Sequence, residues 1–166
     1  MAVTYETKFD LLPGIIENMN ALSGRSVSIG VFDGEQAYIA GIHEYGCRIP
    51  VTEKMRKFLA RKGLHLKATT TVIVIPERSF LRAGFDAKSA EIKAIVDRDI
   101  GELAAGRFSA EVLLDDEGMT ARGLIQQYSR DLSAPPNHPF TADQKGSSNP
   151  LVDTGRMIAA IAYSKE

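Results

Sequence analysis

Hydrophobic positions along the chain follow two periods. Leu12, Ile15, Ile16, Met19 and Leu22 recur at helical spacing, which predicts a helix over Tyr5–Leu22 with Pro13 in its first turn and Gly24 as its stop. Val27, Ile29 and Val31 alternate with small residues, so Ser26–Phe32 reads as a strand, turned by Asp33-Gly34. Glu35–Tyr45 reads as a short helix ending at Gly46, and Ile49-Pro50-Val51 as extended chain. Thr52 is placed to cap a helix over Glu53–Lys62, closed by Gly63, with Met55, Phe58 and Leu59 as a narrow apolar face. Thr69–Ile75 is dense in β-branched residues and stops at Pro76, a strand signature.

Ser89–Leu103 predicts an amphipathic helix with Ile92, Val96, Ile100 and Leu103 on one side and Ile95 beside them. A second long helix is expected over Ala110–Leu132, interrupted near Gly118, because Gly118 and Gly123 each cost about 1 kcal/mol against alanine. Ser133–Asn149, with Pro135, Pro136, Pro139 and Gly146, reads as an extended or mobile loop that orders on assembly. The N-terminal segment is a second such candidate. A capped helical turn at Asp153-Thr154 and a strand over Ile158–Tyr163 complete the chain. The expected fold class is α+β: a small, mostly antiparallel sheet of about three to five strands packed with several helices.

A length of 166 residues suits a single domain, 1–166. With 44% apolar and 25% charged residues the composition is that of an ordinary globular protein. Twenty Lys+Arg against 21 Asp+Glu leave a net charge of -1, without the basic excess of a general nucleic-acid binder. The single cysteine, Cys47, excludes an internal disulfide and a multi-thiolate zinc site. Met1–Asp10 lacks a signal-peptide apolar region, and no apolar run approaches the roughly 18 residues that cross a bilayer. These features lead us to expect a soluble chain made in the cytoplasm, with no membrane partner.

Candidate chemistry is sparse. His43-Glu44 could serve proton transfer, but neighbours on a helix point roughly 100° apart and do not converge on one ion. A packing or hydrogen-bonding role is the expectation for His43. Asp115-Asp116-Glu117 offers paired carboxylates, which read more simply as a solvated acidic turn. No phosphate loop, dinucleotide fingerprint or nucleophile elbow occurs. No catalytic residue, metal or cofactor is expected. Arg48, Lys54, Arg56, Lys57, Arg61, Lys62 and Lys67 form a basic stretch opposed only by Glu53. Glu91, Asp97, Asp99, Glu102, Glu111, Asp115, Asp116 and Glu117 form a later acidic one. A basic and an acidic surface on one small chain can meet head to tail and close a ring. Arg48, Lys54, Arg56, Lys57, Arg61, Asp115, Asp116 and Glu117 are therefore the interface candidates.

Two phrases and their order say more. Ile39-Ala-Gly-Ile-His-Glu-Tyr-Gly46 is followed about thirty residues on by Ile75-Pro-Glu-Arg-Ser-Phe-Leu81, and Pro150-Leu-Val-Asp-Thr-Gly-Arg-Met157 lies near the C-terminus. The ordered set, spanning about residues 27–163, resembles the virion-morphogenesis proteins of tailed bacteriophages, the neck or tail-completion group. Ser79 stands where that family often has Pro, and Ala159 or Ala160 where it often has Ser. The resemblance implies a non-enzymatic structural protein of the phage neck or head-proximal tail end: a connector, tail-completion or terminator component. It would act as a homo-oligomeric ring, hexamer or dodecamer, that meets other neck, tail-tube, sheath or connector proteins and touches DNA passively. Its location would be the virion. His43, Glu44, Gly46, Pro76, Arg78, Phe80, Leu81, Asp153, Thr154 and Gly155 would then be fold determinants. The alternatives from other classes are a small cytoplasmic enzyme using His43 and Glu44, and a nucleic-acid-associated regulator using Arg48–Lys67.

Overall fold

The computed structural model describes residues 12–32 and 34–166; the predicted start of the first helix at Tyr5, the N-terminal segment before Leu12 and Asp33 of the predicted turn lie outside them. The described elements are, in order, α1 (Leu12–Leu22), β1 (Val27–Gly30), α2 (Gly34–Tyr45), β2 (Cys47–Pro50), α3 (Glu53–Arg61), β3 (Val72–Ile75), α4 (Arg82–Ala104), α5 (Ala110–Asp131), α6 (Pro139–Lys145), α7 (Arg156–Ala159) and β4 (Ala162–Lys165). The fold class is α+β. The strands do not join one sheet: β1 pairs with β4 and β2 with β3, as two separate two-stranded sheets. Each strand is four residues long and, among the described residues, pairs with one other strand. Among the described residues no helix is long and apolar enough to cross a membrane.

The chain divides into two compact units, and α4 and α5 supply residues to both. The first unit takes residues up to 29, 89–122 and 163–166. Its core is Leu103, Leu113 and Leu114, with Leu22, Val27 and Phe108 packed against them. Ser26 and Glu166 exchange both backbone hydrogen bonds at 3.0 Å, the signature of an antiparallel pair, and so fix the β1–β4 register. Asn18 and Ser109 accept from the backbone N–H groups of Ala110 and Val112 and so cap α5. The expected stripe of α1 is divided: Leu12, Ile16 and Met19 are exposed, and no residue of α1 is buried.

Two expectations in this unit are corrected. α5 runs unbroken through Gly118, because the glycine makes room for a ring: a Cβ there would stand 2.3 Å from Cδ2 of Tyr163. On α4, Ile100 is 42% exposed, and the inward position one residue earlier is taken by Asp99, fully buried. Positions 92, 95, 96, 99 and 103 share the helical face, so the carboxylate occupies a core site.

The second unit takes residues 30–88 and 123–162. Phe80, Ile125, Leu151, Met157, Ile158 and Ile161 are buried in it. Its β2–β3 hairpin pairs Cys47 with Ile75 and Pro50 with Val72, and α3 lies in the connection. Thr52 caps α3 as expected, accepting from Met55 N at 3.2 Å, and Gly63 follows at φ +94°. Residues 133–149 are not structureless, since α6 forms inside them: Pro139 sits in its first turn, His138 accepts from Phe140 N, and Gly146 ends it left-handed. The last helix and strand fall later than expected, because the 149–155 segment is wound by side-chain hydrogen bonds described next.

Candidate functional site

The two phrases around Glu44 and Arg78 pack on one another in the second unit. α2 carries Glu44 inward to 3% exposure. Its carboxylate accepts from Ser79 Oγ at 2.8 Å, Leu81 N at 2.9 Å, Arg82 N at 3.1 Å and Arg82 Nε at 2.9 Å. The two backbone donors are Leu81, just before α4, and Arg82, its first residue, so Glu44 is an N-terminal cap supplied from another helix, where a negative charge is also favoured by the helix dipole. Burial pushes the carboxyl up, but the Leu81, Arg82 and Ser79 donors together outweigh it and hold the group below its usual range. Arg82 also pairs with Glu77 at 2.8 Å and lies 4.7 Å over the Tyr45 ring.

Gly46 has φ +71°, and a Cβ there would come within 2.9 Å of both Glu77 N and Ile75 O. Conformation and space both demand glycine at the end of the His-Glu-Tyr-Gly phrase. Pro76 follows the last residue of β3, and Phe80 is fully buried in the core while Leu81 is half-buried.

Arg78 is 4% exposed, and its backbone N–H donates to His43 O at 2.7 Å. Its guanidinium donates to Pro135 O at 2.7 Å, Pro136 O at 3.1 Å and Asn137 Oδ1 at 3.2 Å, and it meets His43 Nδ1 at 3.4 Å. All these partners are neutral, and burial lowers the pKa of Arg78. His43 is lowered to about 4 by burial, then by the Arg78 and Lys145 charges, so it is neutral near pH 7. The side chains of His43 and Glu44 therefore engage different partners rather than each other.

The C-terminal phrase meets His43 across a cleft. Asp153, Thr154, Gly155, Arg156 and Met157 form one wall; Gln36, Ile39 and His43 of α2 form another; Asn137, Thr141 and Lys145 close it. Neither Asp153 nor Thr154 caps α7. The cap is Gly155 at φ +79°, with no side-chain cap bond, so its need is the left-handed backbone and not a close approach. Thr154 Oγ1 instead accepts from Arg156 Nε at 3.4 Å. Asn149 organises the segment: its Oδ1 accepts from Leu151 N and Val152 N, and its Nδ2 donates to Arg130 O at 2.7 Å. Sequence reasoning missed Asn149, Asn137 and Lys145; an Asn before Pro-Leu was the available sign of an Asx turn.

The charged stretches behave unequally. In the first unit the acidic residues are taken by the chain's own cations. Glu111 pairs with Arg25 and Lys165, Asp115 with Lys165 at 2.8 Å and Tyr163 at 3.0 Å, Asp116 with Arg98, and Glu102 with Arg107. Glu117 is half-buried, and burial raises its pKa, with Asp99 and Asp116 adding to the shift. The expected solvated acidic turn is thus part of helix α5 and largely paired within its own unit. In the basic stretch, Arg56 folds onto Leu66 O, Lys67 O and Thr70 O, so it holds the returning loop. Arg61 Nε reaches only Lys57 O, at 3.4 Å. Arg48 on β2 is exposed, as are Lys54, Lys57 and Arg61 on α3, which also carries the half-exposed Phe58.

Among the described residues no group of three or more His, Cys, Asp or Glu is placed to hold a metal ion. Comparison of the chain with family models, curated proteins and solved structures finds no match.

Proposed function

We propose that the protein is a structural component of a tailed-phage particle, acting at the neck or the head-proximal end of the tail as a ring that joins or terminates assemblies by protein–protein binding. The supporting observation is that the phrases carrying the resemblance meet in space. Glu44 caps the helix after Ile75–Leu81, Arg78 bonds His43, and Asp153–Met157 lines the same cleft as His43. Such a buried framework gives each subunit one defined shape, which closed rings require. Because Asp115 and Asp116 are already paired, a head-to-tail contact between the acidic and basic stretches is not the favoured interface. Lys54, Lys57, Arg61 and Phe58 on α3 are better interface candidates, an aromatic anchor with a charged rim.

Electron microscopy and size-exclusion chromatography of concentrated protein, alone and with tail tubes or portal-bearing capsids, test the reading. Rings or particle-bound copies are expected. A chain that stays monomeric and is absent from every particle in producing cells would refute it.

A further inference from the structure

The cleft of the second unit holds positive charge that the described residues do not balance. Its volume is about 240 Å³. Lys145 and Arg156 stand in its walls, and Arg78 lies directly behind His43. Lys145 Nζ is held by two carbonyls, Asn149 O at 3.1 Å and Pro150 O at 3.4 Å, with the Asp153 charge nearby but no third hydrogen-bond partner among the described residues. Arg78 is likewise held only by neutral groups. Among the described residues Asp153 is the one carboxylate in the walls, against the charges of Lys145 and Arg156 there and of Arg78 behind His43. Gathering like charges in a partly buried site is unfavourable unless an anion relieves it. His43 adds a donor. A guanidinium can only donate, so His43 Nδ1 accepts from Arg78 and the ring proton sits on Nε2, which finds no hydrogen-bond partner among the described residues.

We propose that this cleft is a carboxylate-binding site, in which Lys145, Arg156 and the Nε2–H of His43 hold the anion. The mixed lining fits a short acid: Ile39 and Met157 offer an apolar wall for its carbon end, and Thr141 a further hydroxyl. The carboxylate can come from a free small acid or from an acidic side chain of a second copy. Binding is read on the isolated chain, so a failure of ring assembly leaves the inference standing.

The test is NMR of the isotope-labelled chain titrated with acetate against chloride at matched ionic strength. Saturable shifts are expected at the His43 ring and at the amides of Gly155 and Arg156, with Lys54 and Lys57 unmoved as surface controls. Arg156→Gln, an exposed position that leaves the core intact, should weaken acetate about tenfold. Lys145→Met should weaken it comparably. Dilution without acetate separates the sources. Shifts that vanish on dilution and are reversed by acetate mean a second copy's carboxylate, and concentration-independent spectra mean a free acid. Absence of a saturable shift, or equal acetate affinity in both variants and the parent, would overturn the site.

Discussion

Glu44 and Asp99 are both carboxylates shut away from solvent, at 3% and 0% exposure, each beside an arginine. Their surroundings push them in opposite directions. Glu44 has four donors spread over its two oxygens, and they outweigh its burial. Asp99 has Arg98 on one oxygen, at 2.7 Å from Nε, while Oδ2 has no hydrogen-bond partner among the described residues. Burial therefore wins: it raises the Asp99 pKa against the pull of Arg98, and the neighbouring Asp116 carboxylate raises it further. What decides whether a buried acid stabilises a fold is the number of donors aimed at it. Glu44 is a joint of its unit, and Asp99 is a stored liability of the other.

The largest effect should come from removing the joint. Glu44→Ala leaves Ser79 Oγ, the backbone N–H groups of Leu81 and Arg82 at the start of α4 and the Nε–H of Arg82 without their acceptor, while Arg82 keeps its contact with Glu77. Losing a cap costs about 1 kcal/mol and an abandoned buried partner about 1–3 kcal/mol. Because Arg82 is half exposed and can turn to water, the expected loss is about 3 kcal/mol in urea unfolding. A loss under about 0.5 kcal/mol would reduce Glu44 to an ordinary surface acid.

Two glycines on α5 extend the contrast between a filled and an open environment. Gly118→Ala drives a methyl into the Tyr163 ring, an overpacking expected to cost about 1–2 kcal/mol after the helix gain is subtracted. Gly123→Ala meets nothing within 4 Å and should stabilise by about 0.5–1 kcal/mol. Thermal melts of the two variants should move in opposite directions. Movement in the same direction would mean that α5 tolerates or rejects alanine for reasons other than the ring.

Periodicity and punctuation made much of this legible. The Thr52 cap and the stop at Gly46 follow from local chemistry, and local chemistry is what a sequence displays; the apolar stripe also marks the later part of α4, but the helix begins at Arg82, ahead of the expected Ser89. In the sequence Asp99 reads as surface because acids usually are, although it lies on the inward face shared by Ile92, Val96 and Leu103. Gly118 reads as a break because its reason for being glycine, Tyr163, lies far away in sequence. The cleft also depends on Asn137 and Lys145, whose partners, the Arg78 guanidinium and the Asn149 carbonyl, carry no sequence signature, whereas the Asx turn of Asn149 had a local one. The pairing of Asp115 with Tyr163 and Lys165 is likewise a long-range event.

The smallest effect in free energy gives the sharpest test of the contrast. Near pH 7, Asp99→Asn keeps an acceptor for Arg98 and removes a poorly supported charge, so stability should change by about 1 kcal/mol or less. The pH dependence should separate the two acids. The folded-state pKa of Asp99 lies above its ordinary 3.8, so over that window the folded chain binds more protons than the unfolded one, and Asp99 subtracts stability as pH rises. Glu44 lies below its ordinary 4.5, so its contribution is present above that value and is lost as pH falls through the folded pKa. Urea midpoints taken from pH 3 upward should therefore tilt oppositely. Asp99→Asn should remove a fall in stability with rising pH, and Glu44→Gln should remove a rise. If both variants tilt the acid limb the same way, the donors around Glu44 do not outweigh its burial, and the two sites are one kind of buried acid after all.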